Sequence, residues 1–327
     1  MKKIVKAIVG IIKRHPIKVR IGLVVILFSV LIYSIHPAEI ILAFKQARPL
    51  YLFYAAVLMV PNLLLQLFKW SFVMRNLNPR PSIKTTAVSL FGGFFLGATT
   101  PGRTGEIARG LLIPDHSKLR IASLTVVDKG FNQLMIYLFG LTTLGFILPW
   151  PFPVVTFLTE GIIIVILFNI HRLRPVLATV FHKFTHSQQV DNALAAFDAL
   201  SIRTVLGMLA YSIVFYMTFT FQLYCLILCF TDISFFTAIR TVPLIFFFNS
   251  MFPIAIGDLG IKEFFAVHVL GVYGIAGGPA FSASLTQNVL AFLIPSFIGG
   301  IVFAFSHKRR SQEAPASGDR TVPLSEK

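Results

Sequence analysis

The sequence predicts an all-α polytopic membrane protein arranged as an inverted repeat, with six full spans and two re-entrant helical hairpins. Three observations carry this expectation. The chain is 56% apolar with 34 Phe and only 13% charged residues, where soluble domains carry about a quarter charged residues. Its cations gather beside apolar runs instead of forming a basic domain. Two segments, Thr99 to Glu106 and Phe252 to Glu263, place Pro, paired Gly and charged residues inside membrane-grade sequence, at corresponding positions of the two halves, a pattern that marks binding sites in transporters.

In chain order, Ile4, Ile8, Ile11 and Ile12 set against Lys2, Lys6 and Lys13 fit a short interfacial amphipathic helix within segment 1–16. The N-terminal cations, continuing through Arg14, Lys18 and Arg20, place this end in the cytoplasm. A cleaved signal peptide is not expected, because the apolar part is short and lacks a small-residue cleavage site. Apolar runs near Ile21–Ile35, Leu50–Phe68, Phe131–Trp150, Val154–Ile170, Val205–Phe230 and Leu285–Phe305 approach the roughly 20 residues of a span.

Lys69, Arg75, Arg80 and Lys84 mark a cytoplasmic connection after the second run, and the uncharged Leu148–Pro153 turn an external one. His171 to Arg203 and the cluster Lys308, Arg309 and Arg310 are again cytoplasmic, and 307–327 reads as a disordered tail. Lys84 and the group Arg109, Lys118 and Arg120 therefore require the same side. Thr85–Ala98 as a helix reaches only about 21 Å against a hydrocarbon core of about 30 Å. The expectation is a hairpin that enters, turns at Pro101, Gly102 and Gly105, and returns. The same parity makes Phe236–Tyr273 a hairpin from the opposite face, broken at Pro253, Gly257 and Gly260. The repeats are then 17–150 and 151–306. Eight plain spans are the alternative, at the cost of external Arg109, Lys118 and Arg120.

A charge facing lipid near the bilayer centre costs about 2.5–3.5 kcal/mol. Arg103, Glu106, Asp258, Lys262 and Glu263 should thus face one another or an internal cavity. Helix N-termini at the breaks suit an anion; Arg103 offers a planar fork and Lys262 a point charge. Glu106, Asp258 and Glu263 balance these cations, receive hydroxyls, or carry a proton. An internal salt-bridge network that only fixes the hairpins is the bland reading. Asp128 and Lys129 open the run that follows, one towards the cavity and one snorkelling to headgroups, or both simply marking the membrane boundary. Asn132, Gln133, Gln287 and Asn288 read as helix-helix glue, and Asn249, preceding the second break, as the best ligand contact among the amides. Gly92, Gly93 and Gly97 suit close helix packing. Cys225 and Cys229 read as packing residues, and His171, His182 and His186 as solvated, so neither a metal nor a cofactor is expected.

Pro101-Gly-Arg-Thr-Gly-Glu106 with Arg109, Val126-Val-Asp-Lys129, and Pro253 with Gly257-Asp-Leu-Gly-Ile-Lys-Glu263 resemble the lysylphosphatidylglycerol synthase transmembrane-region family, the flippase-like domain also found in multiple peptide resistance factor. The resemblance implies movement of a lipid or lipid-linked anionic headgroup across the cytoplasmic membrane, with Arg103, Glu106, Arg109, Asp258, Lys262 and Glu263 at the family's charged positions. Where relatives commonly show Glu-Arg, this chain has Asp128-Lys129, which loses the guanidinium fork. A soluble aminoacyl-transferase domain is not expected, so lysyl transfer is not either. The partner is then a phospholipid, glycolipid or polyprenyl-linked lipid and not nucleic acid, with a lipid- or glycan-modifying synthase or a second copy as further candidates. A membrane-embedded enzyme, or an accessory subunit of polyprenyl-linked glycan or glycolipid synthesis, is the alternative function.

Overall fold

A computed structural model describes residues 37–77, 80–98, 100, 103–113, 117–169, 200–252 and 259–313. Among these the chain forms ten α-helices and no strand. They are α1 (Pro37–Lys45), α2 (Pro49–Met74), α3 (Ile83–Ala98), α4 (Lys118–Ile147), α5 (Phe152–Phe168), α6 (Ile202–Phe230), α7 (Phe235–Ser250), α8 (Ile261–Gly271), α9 (Gly277–Asn288) and α10 (Ile294–Glu313). A 3-10 segment, Thr104–Leu112, follows α3, and a π turn, Val289–Leu293, joins α9 to α10. Pro295 has no N–H for the carbonyl four residues back, which accounts for the widened turn just before it.

Helix starts follow local chemistry. Pro49 occupies the first turn of α2, where its missing donor costs nothing. Ser117, Ser201 and Ser234 cap α4, α6 and α7 by accepting from the N–H three residues on. Four units, α2, α4, α6 and Gly277–Phe305, are long and apolar enough to cross a membrane, and α3, α5 and α7 are shorter apolar helices. The 26 residues of α2 rise about 39 Å, whereas the 16 of α3 or α7 rise only about 24 Å. α5 turns bare apolar side chains outward, with Leu158 and Val165 each 63% exposed, as lipid contact allows.

α2 and α6 run antiparallel. Arg48 pairs with Asp232 at 2.6 Å at one end, Asn62 donates to Gln222 at 3.3 Å midway, and Phe72 fills the space over Gly207 at the other. Burial divides into a cluster around Trp70, Leu90, Phe94 and Leu124 and another around Tyr216, Leu226, Ile245 and Leu270. Cys225 and Cys229 are buried, unbridged members of the second, in line with packing.

α3 and the 3-10 segment form an antiparallel hairpin, with Gly97 against Glu106, Gly93 against Arg109 and Gly92 against Leu112. Arg120 donates to the Asn76 carbonyl at 3.3 Å, so this excursion ends where it began. At the other end of the bundle, Asp232 meets Arg48 and Gly278 packs on Glu39, bracketing the α7–α8 excursion in the same way. α10 braces α3, where a Cβ on Gly299 would lie 2.0 Å from the Phe91 carbonyl oxygen and Ser296 donates to the Phe94 carbonyl at 3.2 Å.

Several sequence expectations are corrected. The second apolar run does not stop before Lys69: α2 continues to Met74, and Lys69 is 2% exposed, because Asp128 compensates it from α4. Asp128 and Lys129 do not open their helix; the Ser117 cap starts α4 at Lys118, and Lys129 turns to Glu106 instead of snorkelling outward. α10 extends to Glu313, beyond the expected boundary at 307. The first run, the amphipathic segment 1–16 and the connection carrying His171, His182 and His186 lie outside the described residues.

Candidate functional site

The tip of the first hairpin is built by side chains standing in for absent helical bonds. Thr100 Oγ1 accepts from the Gly105 N–H at 2.6 Å and donates to the Leu96 carbonyl at 3.1 Å. A Cβ on Gly105 would fall 2.1 Å from the Leu96 carbonyl oxygen, so this close approach requires glycine. Arg103 takes the left-handed conformation, with φ 56° and ψ 27°, uncommon for a side-chain-bearing residue. In the segment that follows, 3-10 winding brings residues three apart into line. Arg103, Glu106 and Arg109 therefore share one face.

That face joins a continuous network of opposite charges. Arg103 Nη2 lies 2.7 Å from Glu106 Oε1, and Arg109 Nη2 lies 2.8 Å from Oε2, which also receives Lys129. Arg109 Nη1 is 3.3 Å from Asp128 Oδ2, while Lys69 Nζ is 3.1 Å from Oδ1. Lys69 also donates to the Asp128 carbonyl at 2.9 Å and Asn132 Oδ1 at 2.6 Å, and Ser212 donates to the same Oδ1 at 3.2 Å. The Arg109 guanidinium covers the Trp70 ring at 5.0 Å, and that of Arg103 covers Phe292 at 4.4 Å. Glu106 and Arg109 are each 1% exposed, against 26% for the Arg103 side chain and 33% for that of Lys129.

The second hairpin uses its charges differently. Gly260, with φ 89°, precedes α8, and Glu263 reaches back to accept its N–H at 2.6 Å. Glu263 Oε1 also accepts from Asn288 at 2.6 Å and Ser284 at 3.3 Å, leaving the carboxylate fully buried between α8 and α9. Lys262 donates to Gln287 Oε1 at 3.2 Å, and Gln287 in turn donates to the Phe219 carbonyl at 3.0 Å.

Between the hairpins lies a cavity of about 530 Å³. Of the residues expected at a site, Arg103, Glu106, Lys129, Asn249 and Lys262 reach it, as do Asn132, Gln133 and Asn288. Arg109 and Asp128 stand behind the wall as a buried frame, and Glu263 organises the start of α8. Asp258, Pro101, Gly102, Pro253 and Gly257 lie outside the described residues. Lys69, Asn62 and Gln222 were missed. The spacing of Asn62, Gln66 and Lys69 by four and then three residues is a polar stripe on one helical face, a signal present in the sequence. Among the described residues no three His, Cys, Asp or Glu groups gather as metal ligands.

Long apolar helices around an interior charge network define a multi-pass membrane protein. The chain belongs to the Lysylphosphatidylglycerol synthase TM region family, which matches residues 17–299, and its role is accordingly lipid-related. No curated protein and no solved structure matches it.

Proposed function

We propose that the protein moves a lipid or lipid-linked anionic headgroup across the cytoplasmic membrane. The two excursions are re-entrant hairpins from opposite faces of an inverted repeat, and both termini are cytoplasmic. The supporting observation is the charge balance of the network that borders the cavity. Among the described residues Lys69, Arg103, Arg109 and Lys129 face only Glu106 and Asp128 in the network, and the two most accessible cations, Arg103 and Lys129, reach the cavity. An anionic headgroup compensates this excess where water is scarce.

In this reading the headgroup takes over Arg103 and Lys129 from Glu106, which keeps Arg109. Arg109, Asp128 and Lys69 remain paired, so the frame survives loading and release. The tails stay in lipid, and no bond is made or broken. Both hairpin halves are short because their tips need only reach the middle of the bilayer.

Translocation of a fluorescently labelled phosphatidylglycerol in proteoliposomes, read by chemical quenching of the outer leaflet, tests this. A charge-assisted hydrogen bond contributes about 1.5–3 kcal/mol, so Arg103→Ala should slow translocation about tenfold to a hundredfold. Val165→Ala on the outward face of α5 should leave it unchanged. A wild-type rate in a folded Arg103→Ala/Lys129→Ala variant would overturn the proposal.

A further inference from the structure

The cavity wall changes character beyond the cations. From Ser212, which hydrogen-bonds Asn132 beside Lys69, to Gln222, which meets Asn62, α6 rises about 15 Å. Along this stretch α6 contributes aromatic and amide groups and no charge, while Lys262 reaches the wall from α8 with its ammonium on Gln287, which bonds the Phe219 carbonyl. Phe215 and Phe219 stack at 5.8 Å, and Phe219 meets Phe246 at 5.0 Å. Asn62, only 4% exposed, spends its Nδ2 on Gln222, yet its Oδ1 has no hydrogen-bond partner among the described residues. Gln133 Nε2, also on the wall, has none either. One is an acceptor and the other a donor. A buried amide without a partner costs about 1–3 kcal/mol, and two on one cavity wall point to a ligand that supplies both.

We infer that this aromatic and amide wall is a subsite for an uncharged, hydroxyl-rich part of the headgroup, a sugar or polyol ring attached to the anion held by Arg103 and Lys129. The inference rests on the anionic-headgroup reading and narrows its substrate class. Ring hydroxyls both donate and accept, matching Asn62 Oδ1 and Gln133 Nε2, and the C–H faces of a ring lie against Phe215 and Phe219. A cationic aminoacyl group fits less well. Among the described residues Glu106 is the single carboxylate on the cavity wall, and it already serves Arg103, Arg109 and Lys129.

Native mass spectrometry of the full chain in detergent, titrated with three lipids of matched tails, tests the subsite. Phosphatidylmethanol presents a phosphodiester alone, phosphatidylinositol adds a polyol ring, and lysyl-phosphatidylglycerol adds a cation. Phosphatidylinositol should bind about tenfold more tightly than phosphatidylmethanol, the equivalent of two net hydrogen bonds. Asn62→Leu/Gln133→Leu should abolish that preference while preserving phosphatidylmethanol binding, which also reports an intact fold. Arg103→Ala should weaken both lipids alike. Equal affinities, a preference that survives the double substitution, or tighter binding of lysyl-phosphatidylglycerol overturns the subsite. Phosphatidylmethanol binding indifferent to Arg103→Ala, or binding of neither anion, overturns the anionic reading itself.

Discussion

Asp128→Asn isolates the energetic role of the frame from that of the cavity. The carboxylate is 8% exposed as a side chain and compensates Lys69 and Arg109, whose side chains are 2% and 1% exposed. Removing one partner of a buried pair costs about 3–5 kcal/mol, because the other charge stays buried and uncompensated. Lys69 retains its bonds to the Asp128 carbonyl and Asn132 Oδ1, and Arg109 retains Glu106. The expected loss is therefore at the lower end, about 3 kcal/mol. For a chain of this size that lowers the apparent Tm in detergent on the order of 5 °C. Since replacing both members of a buried pair by apolar groups is often close to neutral, Lys69→Met/Asp128→Leu should recover most of the loss. The assay is thermal unfolding by tryptophan fluorescence, because Trp70 lies under the Arg109 guanidinium. An Asp128→Asn variant within 1 °C of wild type, taking roughly 2 °C per kcal/mol, or a double variant no better than the single, would refute this account.

Gly93→Val should destabilise the first hairpin by about 1–3 kcal/mol, since even its Cβ would stand 2.6 Å from Arg109 Cγ; a parallel fall in Tm and in anionic-lipid binding checks this. At the opposite end, the hydrogen bond from Arg48 and then its charge hold the Asp232 carboxyl below the ordinary carboxylate range. This depressed value stabilises the fold above the unfolded carboxyl pKa of about 3.9 and the contribution fades as pH falls through the folded value. Wild type should consequently be the more stable in a comparison with Asp232→Asn at pH 7, by a small margin that disappears at lower pH and in high salt, as Tm measurements across pH will show.

The membrane class and the two broken segments were legible because they depend on composition and local order. Pro and paired Gly beside charge can be read without knowing what packs where. Cys225 and Cys229 were legible for the same reason, lying in an apolar run with no ligating neighbour. Lys69 was not. A lone Lys at the end of an apolar stretch looks like a membrane-boundary marker, and its partner Asp128 is 59 residues away. Glu263 was read with the cavity residues, although the three donors around it come from Gly260, Ser284 and Asn288. The π turn that brings Phe292 under Arg103 depended on how α9 and α10 meet the hairpin, although Pro295 marked a helix irregularity nearby.

By itself the sequence determined a helical membrane protein, where its helices break, and which charges must be sheltered, since apolar length and insertion cost act locally along the chain. The tertiary structure decided how those charges are partnered. Arg103 and Lys129 reach the cavity, Arg109, Asp128 and Lys69 form the frame behind it, and Glu263 secures α8. The physical reason is rotation and register: a few tens of degrees about a helix axis separates a cavity wall from a buried pair, and that angle is set by contacts such as Gly93 on Arg109 and Gly299 on Phe91.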